Sequence, residues 1–112
     1  MAQSPKFEEV RTPAFAKAYA KANIRAFGWA ANQWTCLETL WTKESNWRPD
    51  AQNKIAIVQN GKKVKAGGIP QILGLNPKMP VVQQINKGLT YIKSRYGKPC
   101  NALNFHNRVN WY

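Results

Sequence analysis

The chain has 112 residues, which is enough for one modest hydrophobic core and too few for two. Its 17 Lys and Arg residues against 5 Asp and Glu residues give a formal net charge of +12, which favours anionic partners such as nucleic acid, acidic membrane or an anionic cell wall. The basic residues form no continuous run, which argues against a dedicated DNA-reading helix, and no apolar stretch is long enough to cross a membrane.

The amino-terminal residues 1–11 are polar and are predicted to be a flexible segment ahead of a single domain, 12–112. Residues 1–12 lack the apolar core of a signal peptide. We therefore expect that an export signal has been removed, or that the protein leaves its cell by another route, as a phage protein does.

The first predicted helix begins at Thr12 and Pro13, an N-cap followed by a first-turn proline. From Ala14 to Phe27, small and apolar residues alternate at helical spacing with a row of Lys and Arg, and Gly28 ends the helix. A membrane-surface helix would show the same pattern, but a helix packed on the core is the commoner structure.

A second helix is predicted to start at Thr35, where Thr35 and Glu38 match a capping box. Leu37, Leu40 and Trp41 then repeat at helical spacing and define its apolar face. The helix must end before Pro49, because proline cannot continue it.

The next position on that apolar face is Glu44, in the predicted last turn. A carboxyl buried against Leu and Trp side chains should have a raised pKa, as a general acid working on a sugar requires. A salt bridge to one of the many Lys or Arg residues is the alternative, and nearby cations would oppose the raised pKa. Glu38 and Asp50 are interpreted as structural, one in the helix cap and the other in a loop.

Cys36 and Cys100 are far apart in sequence, so they form either a disulfide or two buried thiols. We favour the disulfide, because closing a long loop stabilises a small domain, and this would place the protein outside a reducing cytosol. A Cys–His nucleophile using His106 is less favoured. Neither Cys has metal-ligand spacing and one His cannot complete a zinc site, so we expect no metal and no cofactor.

A β-hairpin is predicted next, with strand-like residues 54–59 and 62–65 on either side of Asn60-Gly61. The segment 66–71 contains two glycines that permit close backbone approach, but alone it more often indicates a plain loop than a site. Residues 73–80 are predicted to be a connection.

The clearest helical periodicity runs from Val81 to Tyr96, and Gly97 and Pro99 close it. Tyr91 lies on a neighbouring stripe of this helix and belongs either to the core or to a cleft, with the core favoured. The last segment, 100–112, is predicted to form one or two helical turns, with its final Trp-Tyr packed back on the body.

A series of short motifs occurs in a fixed order along the chain. They are Gly28-Trp29, Gln33-Trp34-Thr35-Cys36-Leu37, Glu44-Ser45, Gly68-Ile69-Pro70-Gln71, Gly88-Leu89-x-Tyr91-Ile92, Tyr96-Gly97-x-Pro99-Cys100 and Trp111-Tyr112. Together they resemble the lysozyme-like transglycosylase domain, in particular its small secreted actinobacterial and phage tail-associated forms. The similarity runs from about Ala14 to Tyr112.

The resemblance implies an α+β, mainly helical, lysozyme-like fold with a small β-hairpin beside the active-site cleft, and a disulfide between Cys36 and Cys100. It implies that Glu44 is the catalytic acid and then the base. Peptidoglycan glycan strands would be the substrate, and the protein would be a secreted, cell-wall or virion-associated monomer, or one module of a larger protein. The implied substrate-binding residues are Ser45, Asn53, Gly68, Ile69, Gln71 and Tyr91.

The sequence departs from the family in three places. Gly67 stands where the family usually has Tyr or Phe, the hairpin is longer and more basic, and the segment between Gln71 and Gln84 is shorter and lacks a common Trp. We therefore expect the substrate contacts on that side to differ from the family pattern.

Glycoside hydrolases generally use two carboxylates, but only Glu44 is well placed in this sequence. A single group favours a lytic transglycosylase, in which Glu44 protonates the bond after N-acetylmuramic acid and then takes the proton of the C6 hydroxyl, which closes a 1,6-anhydro ring. Hydrolysis with Asp50 or another group positioning water, wall binding without turnover, and nucleic-acid binding remain open alternatives.

Overall fold

The computed structural model describes residues 10–112 of the chain, and residues 1–9 lie outside this description. The predicted flexible segment 1–11 therefore falls almost wholly outside the described residues. Arg11, the last residue of that segment, is described. Its guanidinium donates to the Asp50 carboxylate at 2.8 Å and to two main-chain carbonyl oxygens in residues 73–80.

The described residues form a mainly helical α+β fold, about 53% helical, which confirms the predicted fold class at this level. It contains four α-helices and two small antiparallel sheets. The helices are α1 (Pro13–Asn23, continued by a 3-10 turn at Ile24–Phe27), α2 (Gln33–Ser45), α3 (Val81–Tyr96) and α4 (Pro99–Val109). The strands are β1 (Ile57–Gln59), β2 (Lys62–Val64), β3 (Ala66–Gly67) and β4 (Ile72–Leu73).

Helix α1 begins as predicted, because the Thr12 hydroxyl accepts a hydrogen bond from a first-turn N–H at 3.2 Å and a proline follows it. Its small residues Ala16 and Ala20 are fully buried, and Ile24 continues this face into the core. The apolar face of α1 is therefore packed on the protein, as predicted, rather than offered to a membrane surface.

The predicted start of α2 at Thr35 is wrong. The helix begins at Gln33, so Thr35 lies inside it and forms no capping box. A contact distant in sequence explains the earlier start, since the buried Gln33 side chain accepts a hydrogen bond from the Cys100 N–H at 2.9 Å. The Glu38 carboxylate instead lies 3.9 Å from the Lys17 ammonium.

Helix α2 ends at Ser45, because the two following residues, Asn46 and Trp47, have positive φ angles of 54° and 61°. This turn brings the Trp47 ring back into the core, where it is fully buried. It packs between Trp34 and Trp41, with ring centroids 5.6 and 5.1 Å away. The aromatic cluster fixes the end of α2, where Glu44 lies.

Helix α3 approaches α2 closely at Gly88, against the Trp41 ring. A Cβ atom at this position would lie 2.5 Å from the Trp41 ring and 2.8 Å from the Pro70 side chain, so only glycine fits. Both helices line the core with fully buried aliphatic side chains. These are Leu37, Leu40, Val81, Ile85, Leu89 and Ile92.

The predicted β-hairpin is present, with β1 and β2 paired in antiparallel register around Asn60-Gly61. A second sheet, formed by β3 and β4, was not predicted, and Leu73 belongs to it rather than to a connection. Its strands are two residues long, too short to show a hydrophobic period, and they are held together around a tight turn in which Gln71 has a φ of 52°.

Helix α4 spans three turns, so the prediction of one or two turns was too short. It packs against α2, to which the predicted disulfide between Cys36 and Cys100 joins it. Tyr112 packs back on the core as predicted, whereas the Trp111 ring is about half exposed against Phe105. None of the helices in residues 10–112 has the length and apolar character needed to span a membrane.

Candidate active site

The carboxyl end of α2 lies on an open cleft of about 690 Å³. Helices α2 and α4, both small sheets, the loops next to the sheets and the carboxyl-terminal residues after α4 supply its wall. The residues lining it are Lys43, Glu44, Asn53, Ile57, Ala66, Gln71, Leu73, His106, Asn110, Trp111 and Tyr112. The hairpin predicted to border a cleft therefore does so through β1.

Glu44 lies in the last turn of α2, and its side chain is 14% exposed. Burial removes water from the carboxylate and raises the pKa of Glu44 from its ordinary value of 4.5 to about 7. Near neutral pH the carboxyl can therefore hold a proton and also release it, as a group that acts first as acid and then as base must.

The neighbour of Glu44 is a histidine rather than the Lys or Arg of the alternative salt bridge. Nε2 of His106 lies 2.8 Å from Oε1 of Glu44, and the His106 side chain is 12% exposed. The distance fits an ion pair or a hydrogen bond, although Oε1 is buried without a well-directed donor. Burial, together with the nearby positive charge of Lys43, lowers the pKa of His106.

Sequence reasoning considered His106 as a ligand of a zinc site, which a single His cannot complete, and as a partner for a cysteine nucleophile, which the disulfide excludes. A signal for the actual contact exists. Cys36 precedes Glu44 by eight residues and Cys100 precedes His106 by six. If the disulfide joins the starts of two helices running in the same direction, these side chains lie about 12 and 9 Å further along them.

Tyr112 forms the floor of the cleft beside Glu44. Its buried hydroxyl donates to the Pro70 carbonyl at 2.6 Å and accepts from the Trp41 indole N–H at 2.9 Å. Burial raises the pKa of Tyr112 well above its ordinary value, and the negative charge of Glu44 raises it further. The phenol is therefore neutral at physiological pH and ties α2 to the loop that carries Pro70.

Two of the predicted substrate-binding residues, Asn53 and Gln71, line the cleft. The Gln71 amide nitrogen donates to the carbonyl oxygens of Ala51 and Gly68, at 3.1 and 2.8 Å. The Asn53 side-chain oxygen accepts from the Ile55 N–H at 3.0 Å. Both side chains are therefore held by the main chain at the edge of the cleft.

Ser45, Gly68 and Ile69 were also predicted to bind substrate, but the structure buries all three behind the cleft wall. The Ser45 hydroxyl donates to the Ile69 carbonyl at 2.7 Å, which ties the end of α2 to the loop. A Cβ atom on Gly68 would lie 2.6 Å from Oε1 of Gln84. None of the three lines the described cleft, and the contacts that the structure shows for them are structural.

Tyr91 does not line the main cleft. It lines a smaller pocket of about 180 Å³, which shares Gln71 and Trp111 with the cleft. Its hydroxyl donates to the main-chain oxygen of Tyr112 at 2.9 Å and accepts from the Arg95 guanidinium at 2.7 Å. Tyr91 therefore supports Tyr112, which forms the cleft floor, from behind. The sequence left open whether Tyr91 belongs to the core or to a cleft, and the structure places it at the edge of both.

Sequence reasoning missed Gln84, a fully buried amide on α3. Its Oε1 accepts from the Ile69 N–H at 2.9 Å, and its amide nitrogen donates to three carbonyl oxygens, those of Pro49, Pro77 and Met79, at 3.0 to 3.1 Å. The sequence held a signal for this buried amide, because Gln84 lies next to Ile85 on the apolar face of a strongly periodic helix.

Gly67 lies where the main chain approaches a neighbouring loop closely. A Cβ atom there would overlap the main-chain oxygen of Leu75, so a larger side chain cannot be accommodated at this position. The expected difference in substrate contacts on this side stays a prediction.

The other acidic residue considered for chemistry, Asp50, is 76% exposed, is paired with Arg11 and does not line the cleft. Among residues 10–112, no group of three or more His, Cys, Asp or Glu side chains is arranged to hold a metal ion. Glu44 is therefore the carboxyl that the described cleft presents to a ligand.

Comparison with known proteins finds no match to a protein-family model, a curated protein or a solved structure.

Proposed function

We propose that this protein is a peptidoglycan lytic transglycosylase with a lysozyme-like fold and that Glu44 is its acid and base. The observation that carries the proposal is a carboxyl with a pKa raised to about 7 by burial, on the wall of an open cleft. The ordered sequence motifs, together with a helical body and a β-hairpin beside the cleft, support the fold assignment.

The mechanism follows from a cleft with one carboxyl. Glu44 donates its proton to the glycosidic oxygen between N-acetylmuramic acid and N-acetylglucosamine, and the acetamido group of the muramic acid stabilises the cationic C1 centre. The resulting carboxylate then takes the proton of the C6 hydroxyl, whose oxygen closes the 1,6-anhydro ring. The cycle consumes no water and restores the carboxyl.

The charge and the disulfide fit the proposed site of action. A surface of net charge +12 attracts an anionic cell wall, and a disulfide persists in an oxidising compartment. We infer a secreted, wall-associated or virion-associated protein that acts as a monomer on glycan strands, with no specific nucleic-acid partner and no membrane insertion.

The test is digestion of purified peptidoglycan by the wild type and by Glu44→Gln, with the products read by mass spectrometry. We expect the wild type to release 1,6-anhydro products, lighter by one water than hydrolysed ones. Loss of the proton donor should lower activity by about 10²- to 10⁴-fold, while the variant remains folded.

Glu38→Gln is the matched control, because Glu38 lies on the same helix but its carboxylate is half exposed. It should retain wild-type activity. Hydrolysed ends alone would support the alternative of a muramidase. Wall binding without any product would support a binding module, and undiminished activity of Glu44→Gln would reject the role of Glu44.

A further inference from the structure

The two oxygens of the Glu44 carboxyl have different environments. Oε1 is buried and has no well-directed hydrogen-bond donor, although Nε2 of His106 lies 2.8 Å away. Glu44 nevertheless contributes to the cleft wall. Oε2 is therefore the oxygen that can meet a ligand. The buried Oε1 needs a hydrogen-bond donor, and a small rotation of the His106 imidazole would supply one.

We propose that His106 is a positioning residue for Glu44: its neutral imidazole donates from Nε2–H to Oε1, which directs the proton-bearing Oε2 into the cleft. The proposal rests on the proposed function of Glu44 as acid and base. Catalytic hydrogen bonds are often poorly aligned before substrate binds, so the present geometry is that of a contact that tightens in the complex.

The short distance excludes a different role for His106. The two groups that flank a glycosidic bond are about 5–5.5 Å apart in retaining enzymes and about 6.5–9.5 Å apart in inverting ones. The 2.8 Å separation of Nε2 and Oε1 leaves no room for a sugar or a water molecule between the two side chains. His106 therefore acts through Glu44 rather than as a second base on the substrate.

The proton balance of the cycle gives the imidazole a defined task. When Oε2–H transfers its proton to the glycosidic oxygen, Glu44 gains a negative charge. The hydrogen bond from Nε2–H of His106 to Oε1 then becomes charge-assisted and stronger. When Oε2 takes the C6 hydroxyl proton, that bond returns to its neutral strength. His106 keeps its own proton throughout, and its contribution is greatest where charge develops.

The surroundings of the pair determine its pH dependence. Among the residues that line the described cleft, the other titratable groups are Lys43 on α2 and Tyr112 after α4. Burial, and then the positive charge of Lys43, lower the pKa of His106 and so favour its neutral form, and Tyr112 is an uncharged phenol. Below the pKa of His106 an imidazolium would face Glu44 and make its carboxylate a weaker base, so His106 should control the acid side of the activity profile.

The test compares His106→Gln, His106→Phe and Asn107→Ala on a soluble glycan fragment across pH. His106→Gln keeps an N–H donor but cannot titrate, so it should retain most neutral-pH activity and lose the fall on the acid side. His106→Phe removes the donor and should lower kcat by about 10- to 100-fold with little change in KM. Asn107 is exposed on α4 and should behave as the wild type.

A second readout does not depend on activity or on the phenylalanine variant folding. His106 is the sole histidine of the chain, so its imidazole C–H signals are unambiguous by NMR. In the wild type they should show two titration steps, one from His106 and one near pH 7 from Glu44. In Glu44→Gln only the first step should remain.

A single step shared by the wild type and Glu44→Gln, or superimposable pH profiles for wild type and His106→Gln, would overturn the role of His106. Those outcomes leave the proposed function intact as long as Glu44→Gln is inactive. If Glu44→Gln remains active, the proposed function itself fails, and the two failures are distinguishable.

Discussion

At the scale of single residues, the cost of burying Glu44 is what makes it useful. A carboxyl with a pKa near 7 binds a proton in the folded protein that the unfolded chain, with a pKa of 4.5, has already released. The folded state is therefore penalised progressively as pH rises from 4.5 to 7, in contrast to a salt-bridged carboxylate, which would add stability over the same range.

We predict that Glu44→Gln stabilises the protein at pH 8 and leaves it unchanged at pH 4. The variant removes the buried charge, and the gain at pH 8 should be at most on the order of 3 kcal/mol, less whatever His106 already offsets. Urea unfolding of both proteins at the two pH values measures it. Glu38→Gln, which removes a half-exposed carboxylate, should show no such dependence, and a loss of stability at pH 8 would mean that Glu44 is stabilised by an ion pair.

At the scale of elements, how far the sequence predicts the fold depends on where each element's determinants lie. Helices α1 and α3 and the β1–β2 hairpin were predicted because a cap, a hydrophobic period and Asn60-Gly61 are local signals. The start of α2 was missed because Gln33 is held by Cys100, far along the chain. Sheet β3–β4 was missed because such short strands carry no pattern.

The candidate site divides in the same way. Glu44 was found because a carboxylate interrupts a helical apolar face, which is a local signal. His106 was not identified as its partner, because their contact depends on α2 and α4 lying side by side, joined by the disulfide. Ser45 and Ile69 were assigned to substrate because motif position does not reveal whether a side chain faces the cleft or the core.

The loop behind the cleft depends on α3 through one amide, which gives a prediction for this element. Gln84→Met keeps the side-chain volume but removes the hydrogen bonds to the Ile69 N–H and to the Pro49, Pro77 and Met79 carbonyl oxygens. The Pro77 and Met79 oxygens still accept from the Arg11 guanidinium. We expect a loss of about 2–4 kcal/mol in the free energy of unfolding. Activity should also fall, because the Ile69 carbonyl accepts a hydrogen bond from Ser45, the residue after Glu44.

The neighbouring Gln83 is exposed on the same helix and provides the matched control. Gln83→Met should change the free energy of unfolding by less than about 0.5 kcal/mol. Urea unfolding of the two variants and peptidoglycan digestion measure both effects. Equal stability of the two variants would show that the loop is held by its own turn and not by α3.

At the scale of the whole molecule, the positive charge is unevenly placed. No acidic residue follows Asp50, and the β1–β2 hairpin carries exposed Lys62 and Lys63 next to a strand that borders the cleft. Charges on the far side of the protein attract an anionic wall equally well at long range, but only those beside the cleft can hold the polymer near Glu44. At physiological salt, the attraction between exposed charges is largely screened beyond about 8 Å, so the position of each Lys or Arg should affect wall binding.

We therefore predict that replacing Lys62 and Lys63 together by Gln weakens binding to isolated cell walls and flattens its salt dependence more than replacing Lys21 on α1 and Arg25 in the 3-10 turn that follows it. Both double variants lose two positive charges at exposed positions, so the comparison holds net charge constant. Sedimentation with insoluble walls at 50 to 300 mM salt measures binding, and thermal unfolding verifies that both variants are folded. A larger loss for the Lys62 and Lys63 variant would show that the hairpin is part of the substrate-binding surface, and a larger loss for the Lys21 and Arg25 variant would contradict this. If the two variants lose binding equally, the charge acts through the overall field and the hairpin has no special part in holding the wall.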